Sequence, residues 1–388
     1  MAAFALALAT VGGGVPPAAS ALPVVQQVPG AQQPGIADAV VFLLGDAGKA
    51  KKPVDPLLAA MEADIAVARR ASPSSEVAVA FLGDNVYENG VPESSASDYD
   101  EYVRRLMAQV DVLGEGASVG AATVRGVFVP GNHDWAGNRE DGWERIRRQE
   151  ELLSEAKASR GLNVTLLPVL GCPGPAVADV GSTVRLIAID TQWWLRTGPK
   201  PVGADSPCSV QSTGRLLERL DAAIASAEGR LVFVLAHHPV ASGGPHGGYL
   251  ALKEWFWPTY NLLYYPYRKL SSPLQDLDSE PYAAMIAGLL EVYAEHEPLL
   301  MASGHDHNLQ VIEGNLPRYQ LVSGSGSKRR AVEGTRDPRF ESLFWSDLNG
   351  YMRLDVYAGN RVRLTVTVVE KGSPREAFSL WLEGLEPR

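Results

Sequence analysis

VAVAFLGDNVYENG, residues 77–90, carries the reading that decides the fold: six apolar residues run straight into a glycine, an aspartate and, three positions on, a tyrosine. A short, continuous apolar run closed by Gly and Asp reads as a strand covered on both faces that ends in a tight turn. The same grammar recurs in GDAGK at 45–49 after Ala39–Leu44, GNHD at 131–134 after Gly126–Val129, AHHP at 236–239 after Leu231–Leu235, and GHDHNLQ at 304–310 after Leu299–Ala302. A lone GD at a strand end is ordinarily a turn, with Gly supplying a positive φ and Asp capping the next helix. Five such runs in one order offer more. They supply Asp46, Asp84, Tyr87, Asn132, His237, His305 and His307, and they contain five of the chain's seven histidines. Carboxylate, phenol and imidazole donors suit first-row transition metals better than calcium or magnesium. A single turn returns the Tyr87 phenol toward Asp84, and the two-residue step from His305 to His307 keeps both rings on one face of an extended segment.

Between these strands, and a further one at Val184–Ile189, lie helical patterns at Pro56–Arg70, Tyr99–Val110, Glu140–Ala158, Leu216–Ala227 (with Thr213 as its cap) and Tyr282–His296. Strands alternating with helices predict an α/β core with ligands at the strand ends. After Gly324 the pattern changes. Tyr351–Tyr357, Val362–Val369 and Ala377–Leu382 alternate apolar and polar residues, with Ala358-Gly359-Asn360 as a hairpin turn, and are expected to close a second sheet against the first.

The five runs together resemble the calcineurin-like metallophosphoesterase superfamily. Within it, GDAG in place of the commoner GDxH, and GDNVY with its tyrosine, are similar to the purple acid phosphatases. The GHDHNLQ wording and the later Ser323–Gly326 turn are similar to the small, tartrate-resistant type. The resemblance spans about residues 38 to 330. It implies a two-sheet β-sandwich flanked by helices, with βαβ motifs carrying metal ligands at strand ends, and hence one domain over 37–388. It also implies a dinuclear centre. Asp46, Asp84, Tyr87 and His307 would hold Fe(III), while Asp84, Asn132, His237 and His305 would hold a divalent Fe, Zn or Mn, with Asp84 bridging. The implied reaction is in-line attack of a metal-bound hydroxide on a phosphate monoester, an acid phosphatase-like activity. His133 matches a substrate-facing histidine in GNH; its other reading is a brace to Asp134. His246, in GPHG, sits where a leaving-group acid would. His238 reads as a structural neighbour of His237, and His296 as an ordinary helix histidine.

A net charge of −10 excludes a general nucleic-acid or anionic-membrane binder, and the expected partner is a small phosphate ester. Residues 1–36 start with a short apolar run, then GGG, PP and Ala18-Ala19-Ser20-Ala21. They read either as a secretory signal, making the protein exported, or as a disordered leader, since no Lys or Arg precedes Lys49. Cys172 and Cys208, both in Pro/Gly-rich loops, are open to pairing or to remaining free thiols. Residues 249–281, rich in aromatics and prolines, interrupt the resemblance. They read as a packed excursion or as a lid or docking face toward a membrane or partner. Rival functions are a phosphodiesterase or pyrophosphatase, a non-catalytic surface binding protein that keeps the fold, and a redox iron protein.

Overall fold

Side-chain alternation along the first strand organises the molecule. The computed structural model describes residues 35–50, 54–71, 75–114, 124–247 and 275–383. In β1 (Ala39–Leu44), Ala39, Val41 and Leu43 face a core shared by two sheets, while Val40, Phe42 and Leu44 face a second core beneath helices. Both faces being covered is why the run is apolar without a break. β1 pairs in parallel with β2 (Glu76–Phe81), which pairs with β3 (Val124–Phe128), which pairs with β4 (Asn163–Leu166). The helices α1 (Pro56–Ala71), α2 (Tyr99–Asp111) and α3 (Gly142–Arg160) cover the outer face through residues such as Met61, Ile65, Leu106 and Ile146.

The second sheet is built from β5 (Ala176–Val180), β6 (Val184–Ala188), β7 (Leu231–Leu235), β8 (Leu300–Ser303), β9 (Leu309–Gly314), β10 (Tyr319–Ser323) and β11 (Phe340–Ser346), in the order β11-β9-β10-β8-β7-β6-β5. The short α4 (Thr191–Leu195) follows β6. Then α5 (Thr213–Ala225) and α6 (Glu280–His296) seal the outer face with Leu220, Met285 and Leu289 over Ile187, Val232 and Val234. The result is helices, sheet, sheet, helices, with two mixed seven-stranded sheets at the centre.

Two expectations are corrected. The C-terminal strands β12 (Gly350–Tyr357), β13 (Arg361–Glu370) and β14 (Ser373–Leu382) do not form the second sheet. β12 joins the open edge of β1 antiparallel, Val41 opposite Leu354, so the three extend the sheet that carries the first motifs. Alternation tells which face of a strand is buried, not which edge it pairs with. The cap of α5 is Ser212, whose extended backbone lets its Oγ accept from the Arg215 N–H at 3.2 Å; Thr213 is already inside the helix.

Cys172 and Cys208 are joined by a disulfide. Nearly all of the 249–281 insertion, through residue 274, and the leader through residue 34 lie outside the described residues. Among the described residues no helix is long and apolar enough to cross a membrane.

Candidate metal centre

Five strands, three from one sheet and two from the other, end on the same side, and their following loops converge. Asp46 follows β1, Asp84 and Tyr87 follow β2, Asn132 and His133 follow β3, His237 follows β7, and His305 and His307 follow β8. Close approach of these loops demands glycine. A Cβ on Gly304 would stand 2.5 Å from Asp46 Oδ2, and one on Gly83 would stand 2.5 Å from His237 Nδ1. Asp46, Asp84, His305 and His307 all hold left-handed backbone, with φ of 58°, 53°, 74° and 52°, so His305 and His307 lie on a tight loop between β8 and β9 and not on the extended segment expected from their spacing. Such conformations cost free energy in residues with a Cβ and persist where surrounding structure enforces them, most often at functional sites.

All seven sequence-predicted donors come together. Tyr87 donates its hydroxyl to Asp46 Oδ1 at 2.7 Å and lies 3.2 Å from His307 Nε2, which is itself 3.4 Å from Asp46 Oδ1. On the other side of Asp84, His237 Nε2 stands 3.5 Å from Asp84 Oδ1 and 3.0 Å from Asn132 Oδ1. Asp46, Asp84 and His307 form one cluster whose ligand atoms lie within 4.8 Å of one another, and His237, His238 and His305 form another.

The surroundings select which nitrogen of each imidazole faces the centre. His237 Nδ1 is 2.8 Å from the Leu82 carbonyl, so that nitrogen carries the proton and Nε2 presents a lone pair toward Asp84. His305 Nε2 is 3.0 Å from the Gln275 carbonyl, which leaves Nδ1 as its lone-pair nitrogen. His238 has both nitrogens engaged, by Thr191 Oγ1 and Gln275 Oε1, each at 2.8 Å.

Electrostatics follow from burial. Desolvation, moderated by His237 and reinforced by Asp84, pushes Asp46 up to about 7. Burial alone would raise Asp84 too, but the imidazoles of His237 and His133 and the His133 N–H hold it below the ordinary carboxylate range. Burial also brings His307 down to about 3 and His305 well below its usual value, so both rings are neutral lone-pair donors at neutral pH. The Tyr87 phenol is pushed well above 10 by burial and by the two aspartates. Two buried carboxylates, neutral imidazoles and a phenol that only a strong cation would deprotonate fit a pair of transition-metal ions.

The family model for calcineurin-like phosphoesterases matches residues 41–309, a range that contains all five loops. The chain belongs to the calcineurin-like phosphoesterase family. No curated protein sequence matches it. Among solved structures the chain is similar to GAP50, described as the anchor in the inner membrane complex of Plasmodium, with 17% identity, TM-score 0.53, and 88% of this chain covering 89% of that one. It is also similar to the purple acid phosphatase PPD1 from yellow lupin (Lupinus luteus) seeds, with 15% identity and TM-score 0.51; 88% of this chain spans 53% of the lupin protein.

Around this cluster of donors lie groups that single motifs do not advertise. His133 does not brace Asp134: its Nδ1 lies 2.6 Å from the Glu88 carbonyl, and its Nε2 is 3.9 Å from Asp84 Oδ2. Asp134 braces the loop by itself, accepting the N–H groups of Gly131, Asn85 and Val86 at 2.7, 3.2 and 2.9 Å. His246 packs tilted against His305, with ring centroids 4.1 Å apart, and pairs through Nδ1 with Asp276 at 3.0 Å. His296 lies away on α6 and bonds Asp221 at 2.9 Å. Lys49, Glu88 and Lys328 form an ion cluster against Tyr87 that the sequence reading missed. Its signals were Lys49 at the end of GDAGK, Glu88 next to Tyr87 and Lys328 two residues beyond the Ser323–Gly326 turn.

Proposed function

We propose that this chain hydrolyses phosphate monoesters at a dinuclear metal centre. One observation carries the reading: seven donors from five separate loops meet around Asp84, with protonated second nitrogens turning His237 and His305 toward ligation. Asp46, Asp84, Tyr87 and His307 would hold Fe(III), and Asp84, Asn132, His237 and His305 a divalent Fe, Zn or Mn; such a pair, when bound, neutralises phosphate charge and acidifies water.

The protein groups do the rest. The Glu88 carbonyl holds His133 with Nε2 on the Asp84 side, where it would hydrogen bond a phosphoryl oxygen. His246, oriented by Asp276 and packed on His305, would hand a proton to the departing oxygen. Asp46, Asp84 and His237 are themselves buried, so charges close to them are little screened by solvent.

The testing experiment is metal analysis with turnover of an aryl phosphomonoester by the intact chain and by Asp84→Ala. Loss of a shared ligand is expected to abolish binding of the metal pair and to lower kcat by at least about a hundredfold, the order of effect seen when one group central to transition-state stabilisation is removed. Undiminished turnover in the variant sinks the mechanism. A second reading, an assembly protein that keeps the fold for binding, is prompted by the likeness to GAP50. Retention of all seven donors argues for catalysis, and a metal-loaded chain inert toward monoesters, diesters and pyrophosphate would favour the binding role.

A further inference from the structure

The edge of the second sheet opposite β11 carries a cavity that none of the seven donors lines. It measures about 500 Å³ and lies between the segment after β4, the edge strand β5 and the helix α5. Its walls come from parts of the chain far apart: Val169 and Leu170 follow β4, Val177 is on β5, Val210 precedes α5 and Ala222 is on α5. The Cys172–Cys208 disulfide ties two of these walls together. Cys172 lines the cavity, and Cys208 sits between Pro207 and Ser209, which line it too. Val169 and Val177 are 41% and 45% exposed, so apolar surface here stays open to water. Single exposed valines need no explanation, but apolar surface gathered around a concavity marks a place for a ligand.

One charge lines the cavity, the Arg219 guanidinium of α5. Among the described residues it forms no hydrogen bond or ion pair, whereas Arg215, one turn earlier, pairs with Glu218, and Arg185 pairs with Asp179. A guanidinium matches a carboxylate through two parallel N–H groups. No aromatic ring is among the lining residues, so nothing there would stack on a planar ligand, and the valine, leucine, proline and alanine walls suit an alkyl chain. The volume falls in the range of small-molecule sites. A ligand that meets both demands has an anionic head for Arg219 and a short aliphatic body for the walls.

We propose that this cavity binds a small aliphatic monocarboxylate, with its carboxylate on Arg219 and its alkyl chain against Val169, Val177 and Val210. The site is separate from the metal-ligand loops, so it stands whether or not the chain hydrolyses phosphate esters. Arg219 has a competing role as an ordinary solvated arginine, and the test separates the two.

The experiment is calorimetry on the full chain with butanoate, pentanoate and hexanoate, and with the uncharged 1-hexanol. Each added methylene that enters the cavity is expected to tighten binding about fourfold. Arg219→Gln should weaken hexanoate about tenfold, the loss of one charge-assisted pair, while leaving 1-hexanol unchanged. Ala222→Trp, at an exposed position of α5, fills the cavity and should abolish binding of both ligands. A carboxylate held at the metal-ligand cluster instead would bind equally well to Arg219→Gln and gain nothing per methylene. Either result, or hexanoate binding undiminished by Ala222→Trp, overturns the proposal. The chain-length series needs no variant, so it keeps the test decisive if a substituted chain fails to fold.

Discussion

Asp46 and His307 divide the acid–base work of assembling the centre. Burial pushes Asp46 up to about 7 and His307 down to about 3, so across that interval the imidazole is ready to bind a metal while the carboxyl still carries a proton. A carboxyl with a raised pKa keeps its proton below that value, and the proton competes with the metal. Affinity for a zinc probe should therefore weaken on acidification below about pH 7, by up to about tenfold per unit, with about one proton released per chain on loading. If Tyr87 ligates as phenolate, about two protons leave, and Tyr87→Phe returns the count to one. Calorimetry in buffers of differing ionisation enthalpy reads this directly, and affinity flat from pH 5 to 8 would contradict the assignment of Asp46. The seven donors were legible at this scale because each is chemically distinctive and follows an apolar run. Glu88, Gln275 and Lys328 were not. A glutamate, a glutamine and a lysine in loops look like ordinary solvated residues until the fold brings them against Tyr87, His305 and His133.

Strands were legible where the run is apolar without a break, as in β1, β2 and β7; β4, β5 and β11, short and mixed, were not read, and neither were β9 and β10, buried strands that carry the polar Gln310 and Gln320. The start of α4 illustrates what periodicity omits. Asp190 caps this helix by accepting the Trp193 N–H at 2.9 Å and also accepts the Trp135 indole N–H at 2.7 Å, tying the loop after β3 to the one after β6. Burial, opposed by these hydrogen bonds, raises its carboxyl to about 7. A folded-state value above the unfolded one means the proton is bound more tightly in the folded chain. The resulting stability is fully present below about pH 4 and is lost as pH rises through 7. Asparagine has no such proton, so Asp190→Asn should cost more stability at pH 5 than at pH 8, with a difference on the order of 2 kcal/mol. Urea unfolding of both proteins at the two pH values measures it, and a larger cost at pH 8 would mean that Asp190 is ionised in the folded chain.

At the scale of the molecule, the Cys172–Cys208 disulfide closes a loop across 36 positions and ties the segment after β4 to the loop between α4 and α5. The chain-entropy model gives such a cross-link about 2–4 kcal/mol. Cys172→Ser/Cys208→Ser should lower the urea midpoint accordingly while leaving zinc uptake intact, because none of the seven donors lies in the closed loop. Loss of metal binding without loss of stability would reverse that separation. Local chemistry in the sequence determined the candidate donor types, their order, the α/β character and the family, since each motif is a few adjacent residues. Tertiary structure alone decided that the motif strands divide between two sheets and that β12 joins β1. It alone paired the cysteines and brought Lys49 and Lys328 together at Glu88. Edge pairing and contacts across some 240 or 280 positions depend on how whole sheets pack, and no local pattern encodes them.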